Sequence, residues 1–178
     1  MRKKAIVMVI AAGWVVGGLA IAGPAQADTI GGTPITIQVT GGPLNISVPA
    51  GPVSLGSVGA SLNAQTVTAD LGIVGVTDVR AGTAGWVVTA SAVDFTGPQN
   101  ISVSEPGLSS YTPSSASVIG VATVTGTNLD ALYPGGVVET ATAVTGVNSA
   151  TWHPSISVTI PADALAGTYS SVLTHSVS

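Results

Sequence analysis

Hydrophobic and polar positions alternate with a period of two along most of the chain after residue 33. Pro34-Ile35-Thr36-Ile37-Gln38-Val39 places Ile35, Ile37 and Val39 on one face, Gly41-Gly42-Pro43 offers a turn, and Leu44-Asn45-Ile46-Ser47-Val48 repeats the alternation. The two runs are expected to pair as a hairpin. The same pattern predicts strands over 65–71, 75–80, 85–93, 100–104, 118–125, 136–143, 155–160 and 168–177, separated by Gly, Pro and Asn turns. About ten short strands without a fixed-period repeat predict an all-β chain, a single antiparallel β-sandwich of immunoglobulin-like or Greek-key type. Glu105–Ser117, with Pro106, Gly107, Pro113 and five Ser, reads as a surface crossover or loop, and Pro161–Gly167 has the residues of one helical turn.

The first 27 residues break the pattern. Arg2, Lys3 and Lys4 precede an uncharged apolar run from Ala5 to Ala22, and Gly23-Pro24 leads to Ala25-Gln26-Ala27. This charged, apolar and small-residue order is that of a secretory signal peptide, with cleavage expected between Ala27 and Asp28. The expected organisation is therefore signal peptide 1–27, an N-terminal hairpin extension 28–63 bounded by Pro49-Ala50-Gly51-Pro52, and a sandwich domain 64–178. Export would make the protein secreted or extracellular, and a chain without Cys must hold itself together by burial and hydrogen bonding rather than disulfides.

Charge narrows the partners. Past residue 27 the chain carries one Lys or Arg, Arg80, against eight acids. Such a surface cannot neutralise a phosphate backbone or dock electrostatically on anionic lipid, so nucleic-acid binding is excluded and no membrane association is expected after cleavage. Asp78 and Arg80 lie two apart on a predicted strand and share a face. Arg80 is expected to pair with a carboxylate, Asp78 first, and to cap the carbonyls of the turn Ala81-Gly82-Thr83-Ala84-Gly85; direct contact with a ligand carboxylate is the alternative.

Catalytic chemistry finds little foothold. The acids are scattered singly where a glycosidase needs a facing pair, no Gly-x-Ser-x-Gly elbow positions any of the many Ser, and neither His153 nor His175 sits in a cluster with metal-ligand spacing. Asn128 and Asp130 lack the multi-carboxylate spacing of a calcium loop. No cofactor and no metal are expected, and the chain is read as a non-enzyme. Binding by stacking falls to the few aromatics. Trp86 and Trp152 are expected first as core groups, with exposed stacking on a sugar ring as the alternative; Tyr111 and Tyr133, each beside Pro and turn residues, are the better exposed candidates. Tyr169 follows Gly167 on the closing strand and is expected at the core edge.

Two stretches carry a resemblance. Asp78-Val79-Arg80-Ala81-Gly82-Thr83-Ala84-Gly85-Trp86-Val87-Val88 is similar to the Asp-x-Arg-Gly-Thr stretch leading into Gly-Trp-x-Leu of the WxL domain of Gram-positive surface proteins. The second stretch, from Trp152-His153-Pro154 to Gly167-Thr168-Tyr169, resembles the approach to that family's closing strand. The resemblance spans about Gln65 to Ser178. Val88 stands where the family has Leu, and His175 and Val177 stand where a second Trp and Leu would fall. The resemblance implies noncovalent attachment to the cell wall through peptidoglycan, or to a neighbouring surface protein. A structural subunit that pairs through its β-edges is the alternative from composition, and a secreted hydrolase is a third reading.

Overall fold

The computed structural model describes residues 32–178, so the signal-peptide expectation lies outside the described residues. Within them the chain is all-β, with nine strands: β1 (Leu44–Ser47), β2 (Gln65–Asp70), β3 (Val74–Asp78), β4 (Trp86–Ala92), β5 (Ser109–Pro113), β6 (Ser117–Gly126), β7 (Gly136–Trp152), β8 (Pro154–Ile160) and β9 (Leu173–Val177). They form two antiparallel sheets packed together in a barrel-like or sandwich arrangement.

The larger sheet is organised by β7. Its Asn148–Trp152 end pairs with β3 and its Gly136–Ala141 end with β4, while β6 runs along the opposite edge. β1 extends the sheet beyond β3, and β9 extends it beyond β4. The smaller sheet has the order β2-β8-β5. Alternation dictates what meets between them. Trp86, Val88, Ala90 and Ala92 of β4 point inward, facing Tyr111 of β5 and Ile156 and Val158 of β8 in one core with Trp152. Burying one such aromatic removes roughly 150–250 Å² from water, on the order of 4–6 kcal/mol.

Four expectations are corrected. The hairpin does not form. Residues 34–39 carry no strand, and Leu44–Ser47 pairs with β3 instead. Gly42 N–H donates to the Val79 carbonyl and Val79 N–H to that of Pro43, so the Gly-Gly dipeptide carries the β1–β3 ladder onward rather than reversing. A two-stranded hairpin is marginal in water, whereas Leu44 and Ile46 gain a core contact on β3. Residues 38–178 then form one compact unit. The supposed 105–117 loop holds β5, because Tyr111 supplies one of the largest buried side chains. Conversely, residues 100–104 are no strand, although Ile101 and Val103 are buried and Ile101 bridges to Phe95. Residues 161–167 form a turn without a helix.

Candidate functional site

Among the described residues four polar side chains are buried: Asp78, Ser109, Glu139 and Asn148. Three are hydrogen-bonded: Ser109 Oγ donates to the Val103 carbonyl and accepts the Leu132 N–H, and Asp78 and Asn148 belong to the first of two polar clusters.

The first cluster clamps the turn between β3 and β4. Arg80 grips Asp78 with two parallel bonds, Nε to Oδ1 at 2.9 Å and Nη2 to Oδ2 at 2.9 Å, and its backbone N–H adds a third to Oδ1 at 3.0 Å. Nη2 also reaches the Gly85 carbonyl at 3.0 Å. Arg80 thus closes the turn as its two-residue spacing from Asp78 implies, and its planar fork suits a paired carboxylate. These bonds, chiefly from the Arg80 side chain, hold the Asp78 carboxyl below its ordinary range although burial opposes them. Behind Asp78, Asn148 Nδ2 donates to Oδ2 at 3.4 Å, and Asn148 Oδ1 accepts the Trp86 indole N–H at 3.0 Å. The turn lies against β7: Gly146 N–H donates to the Gly82 carbonyl, and a side chain at Gly85 would strike the Ala141 carbonyl oxygen. Thr83 is exposed and takes no part in this cluster.

The second cluster lies where β5, β7 and β9 meet. Trp152 Nε1–H donates to the Tyr111 hydroxyl at 3.2 Å, and that hydroxyl lies 3.0 Å from His175 Nε2. The tyrosine oxygen can accept from the indole and give its own proton to Nε2, the direction that suits a neutral His175 ring protonated on Nδ1. Burial agrees, lowering the His175 pKa to about 4 and raising that of Tyr111 to about 12. His175 also lies at an apolar cleft of about 260 Å³ whose walls include Pro49, Leu55, Phe95, Leu132 and Leu173.

Glu139 is the exception. It is 0% exposed, both carboxylate oxygens lack a hydrogen-bond partner, and burial pushes its pKa up to about 7. It pairs in register with Val88 of β4 and Gly126 of β6, where a side chain at Gly126 would approach its Oε1.

Burial separates the stacking candidates, and Tyr111 is the one that departs from its expected exposed place. Trp86, Trp152 and Tyr111 are all 1% exposed or less, so none of the three presents a face to a sugar. Tyr133 alone is open, at 53%. Tyr111 is drawn inward because its hydroxyl is the one group that serves both Trp152 and His175. Tyr169 is half-exposed and donates its hydroxyl proton to the Leu165 carbonyl at 2.7 Å, across the bend that Gly167 shapes. Among the described residues no group of three or more His, Asp or Glu could hold a metal ion. Sequence reasoning missed the Tyr111–His175 contact and the isolation of Glu139. Its one available signal for the latter is an acid embedded in the apolar run Val137-Val138-Glu139-Thr140-Ala141.

Outside the clusters the surface is apolar and uncharged in one place. Among the described residues β6 pairs only with β7, leaving its other edge open, and its ten residues include no charge. Ile119 is 74% and Val121 57% exposed on it, with Val147 of β7 also exposed beside Gly120. No protein-family profile, curated protein or solved structure matches the chain.

Proposed function

We propose that this chain is an exported cell-surface module that works by binding, without catalysis, to the cell wall or to a neighbouring surface protein. The observation that carries the reading is the open, charge-free edge of β6 with Ile119 and Val121 exposed on it. Edge strands of soluble proteins are ordinarily blunted by Lys, Pro, shortness or bulges; β6 has no Lys or Pro and runs for ten residues, with its irregularities confined to the register about Val121. The polar chemistry, by contrast, is turned inward: Asp78, Arg80, Asn148 and Trp86 hold a turn, and Tyr111, Trp152 and His175 satisfy one another. The signal-peptide order of residues 1–27 supports export, and the resemblance of 78–88 to the WxL motif supports residence at a Gram-positive surface.

Between the two kinds of partner, the burial of Trp86, Trp152 and Tyr111 favours a protein over a glycan, since sugar stacking would rest on Tyr133 alone. Fractionating the producing cells into medium, wall and cytoplasm tests the reading. Recovery with the surface, beginning at Asp28, is expected; a cytoplasmic, uncleaved protein would contradict it. A pull-down on purified peptidoglycan separates the partners, capture there placing the glycan ahead.

A further inference from the structure

Glu139 sits inside the larger sheet with nothing to bond to. Its register partners are Val88 of β4 on one side and Gly126 of β6 on the other. Both carboxyl oxygens are buried without a hydrogen-bond partner, yet the cover over one of them is thin: a Cβ placed on Gly126 would lie 3.2 Å from Oε1 and 2.8 Å from Pro113 Cγ, and Gly126 itself is exposed. A buried carboxyl without a donor is tolerated neutral, whereas its ionised form must be paired or hydrated. No pairing group is at hand. Past residue 27 the one Lys or Arg is Arg80, which is held by Asp78. β4, β6 and β8 contain no titratable side chain, β5 brings Tyr111, and β9 brings His175 against the Tyr111 hydroxyl; Asp130, in the loop after β6, is exposed. Tyr111, with its pKa pushed up to about 12, and His175, with its own lowered to about 4, are both uncharged near neutral pH. Hydration is the remaining route.

Of the two strands that flank Glu139, β6 is the one able to give way. β4 is paired on both edges, to β7 and to β9, and its inward residues belong to the core. β6 is paired among the described residues to β7 alone, and its register shifts on either side of Val121. The run from Thr123 to Gly126, matched to Thr142 through Glu139 and continued by the Thr127 N–H to the Val138 carbonyl, is thereby set off from Ser117–Gly120. It lies directly over the carboxyl, and Val124 is its one hydrophobic residue packed against the core. Such a short, singly paired run opens at lower cost than the strands behind it.

Resting on the reading of β6 as the binding edge, we infer that Glu139 is a proton-operated latch for that edge: protonated, it stays beneath Gly126 with Thr123–Thr127 paired to β7, and ionised, it draws in water and releases that run. The edge is then whole in acid and shortened in base. Burial supports the sign and the working range, since it pushes the Glu139 pKa up to about 7 from 4.5, and opening lets the carboxyl return to its ordinary value. Linkage turns this into a size. Between pH 5 and pH 8 the population of the opened run should grow on the order of fifty- to a hundredfold, because the opened form gives up its proton earlier than the closed one.

Amide hydrogen exchange of the purified chain at pH 5 and pH 8 tests this, each rate being divided by the unfolded-chain rate at the same pH to give a protection factor. In the parent, protection of Thr123–Thr127 should fall on the order of fifty- to a hundredfold from pH 5 to pH 8, while Trp86–Ala90 of β4, on the other side of Glu139, should keep at least tenfold more protection at pH 8. Glu139→Gln and Glu139→Met remove the titration, and in either one protection of Thr123–Thr127 should be the same at both pH values; the apolar Met variant serves if the Gln variant fails to fold. Parent protection that does not change with pH, β4 and β6 losing protection together, or a folded variant that still shows the pH effect would overturn the inference. Retention of the parent on cells is scored separately at the two pH values. A run that opens without any change in retention would count against β6 as the binding edge and leave the latch standing, whereas retention that needs Ile119 and Val121 while the run never opens would leave the edge standing without the latch.

Discussion

The Tyr111 hydroxyl lies 3.0 Å from His175 Nε2 and accepts the Trp152 indole N–H at 3.2 Å, joining β5, β7 and β9 through one oxygen atom. Tyr111→Phe keeps the ring and removes the bond, leaving the buried Trp152 N–H unpaired and the half-buried His175 ring without its partner. The expected loss is about 1–3 kcal/mol, read by urea denaturation with an unchanged slope. A variant as stable as the parent would mean that water replaces the hydroxyl.

Glu139 and His175 set opposite pH dependences. The Glu139 pKa is raised from 4.5 to about 7, so its contribution is most favourable below pH 4.5 and is lost as pH rises through 7. That of His175 is lowered from 6.5 to about 4, so its contribution is most favourable above pH 6.5 and is lost as pH falls through 4. Between pH 4.5 and 6.5 the folded chain protonates Glu139 and the unfolded chain protonates His175; the two proton counts cancel, and their joint contribution is level. Single variants should expose each limb. In Glu139→Gln stability should rise with pH across this window, and in His175→Gln it should fall, by up to about 1.4 kcal/mol per pH unit in either case. Parallel profiles for parent and variants would refute the assignment.

Arg80→Ala should lower the melting temperature and deprotect the amides of 81–85 in hydrogen exchange, because Asp78 loses its two-pronged partner and Gly85 its cap. Arg80→Lys should recover only part of this, since an ammonium cannot make the parallel pair. Unchanged exchange in Arg80→Ala together with lost surface retention would make Arg80 a ligand contact.

Trp86 and Trp152 should emit as buried indoles and resist iodide quenching, and added soluble peptidoglycan fragments should leave their emission unchanged. A shift on adding the fragments would restore the stacking role that their burial removes.

Period-two alternation made the sheet-forming runs legible wherever a strand has one wet face, as in β2, β4 and β8. It failed at residues 34–39, where the pattern is present without a strand, and at β5, where Ser and Pro disguise a strand held by one buried tyrosine. The Asp78–Arg80 clamp could be read because both partners are two residues apart. The Tyr111–His175 bond could not, since 64 residues separate them and only the packing of β5 against β9 brings them together. Glu139 escaped notice because its burial follows from its position at the centre of β4, β7 and β6, which single-residue chemistry does not reveal.

Binding of the purified secreted chain to the cells that produce it, measured from about 20 to 500 mM salt, tests the surface-module proposal most directly. Over that range the Debye length shrinks several-fold. Past residue 27 one Arg stands against eight acids and gains nothing from long-range attraction to an anionic wall, so retention should change little with salt and should fall at least tenfold in Ile119→Lys with Val121→Lys. Retention that collapses with salt, or that survives those two substitutions undiminished, would contradict binding through the β6 edge.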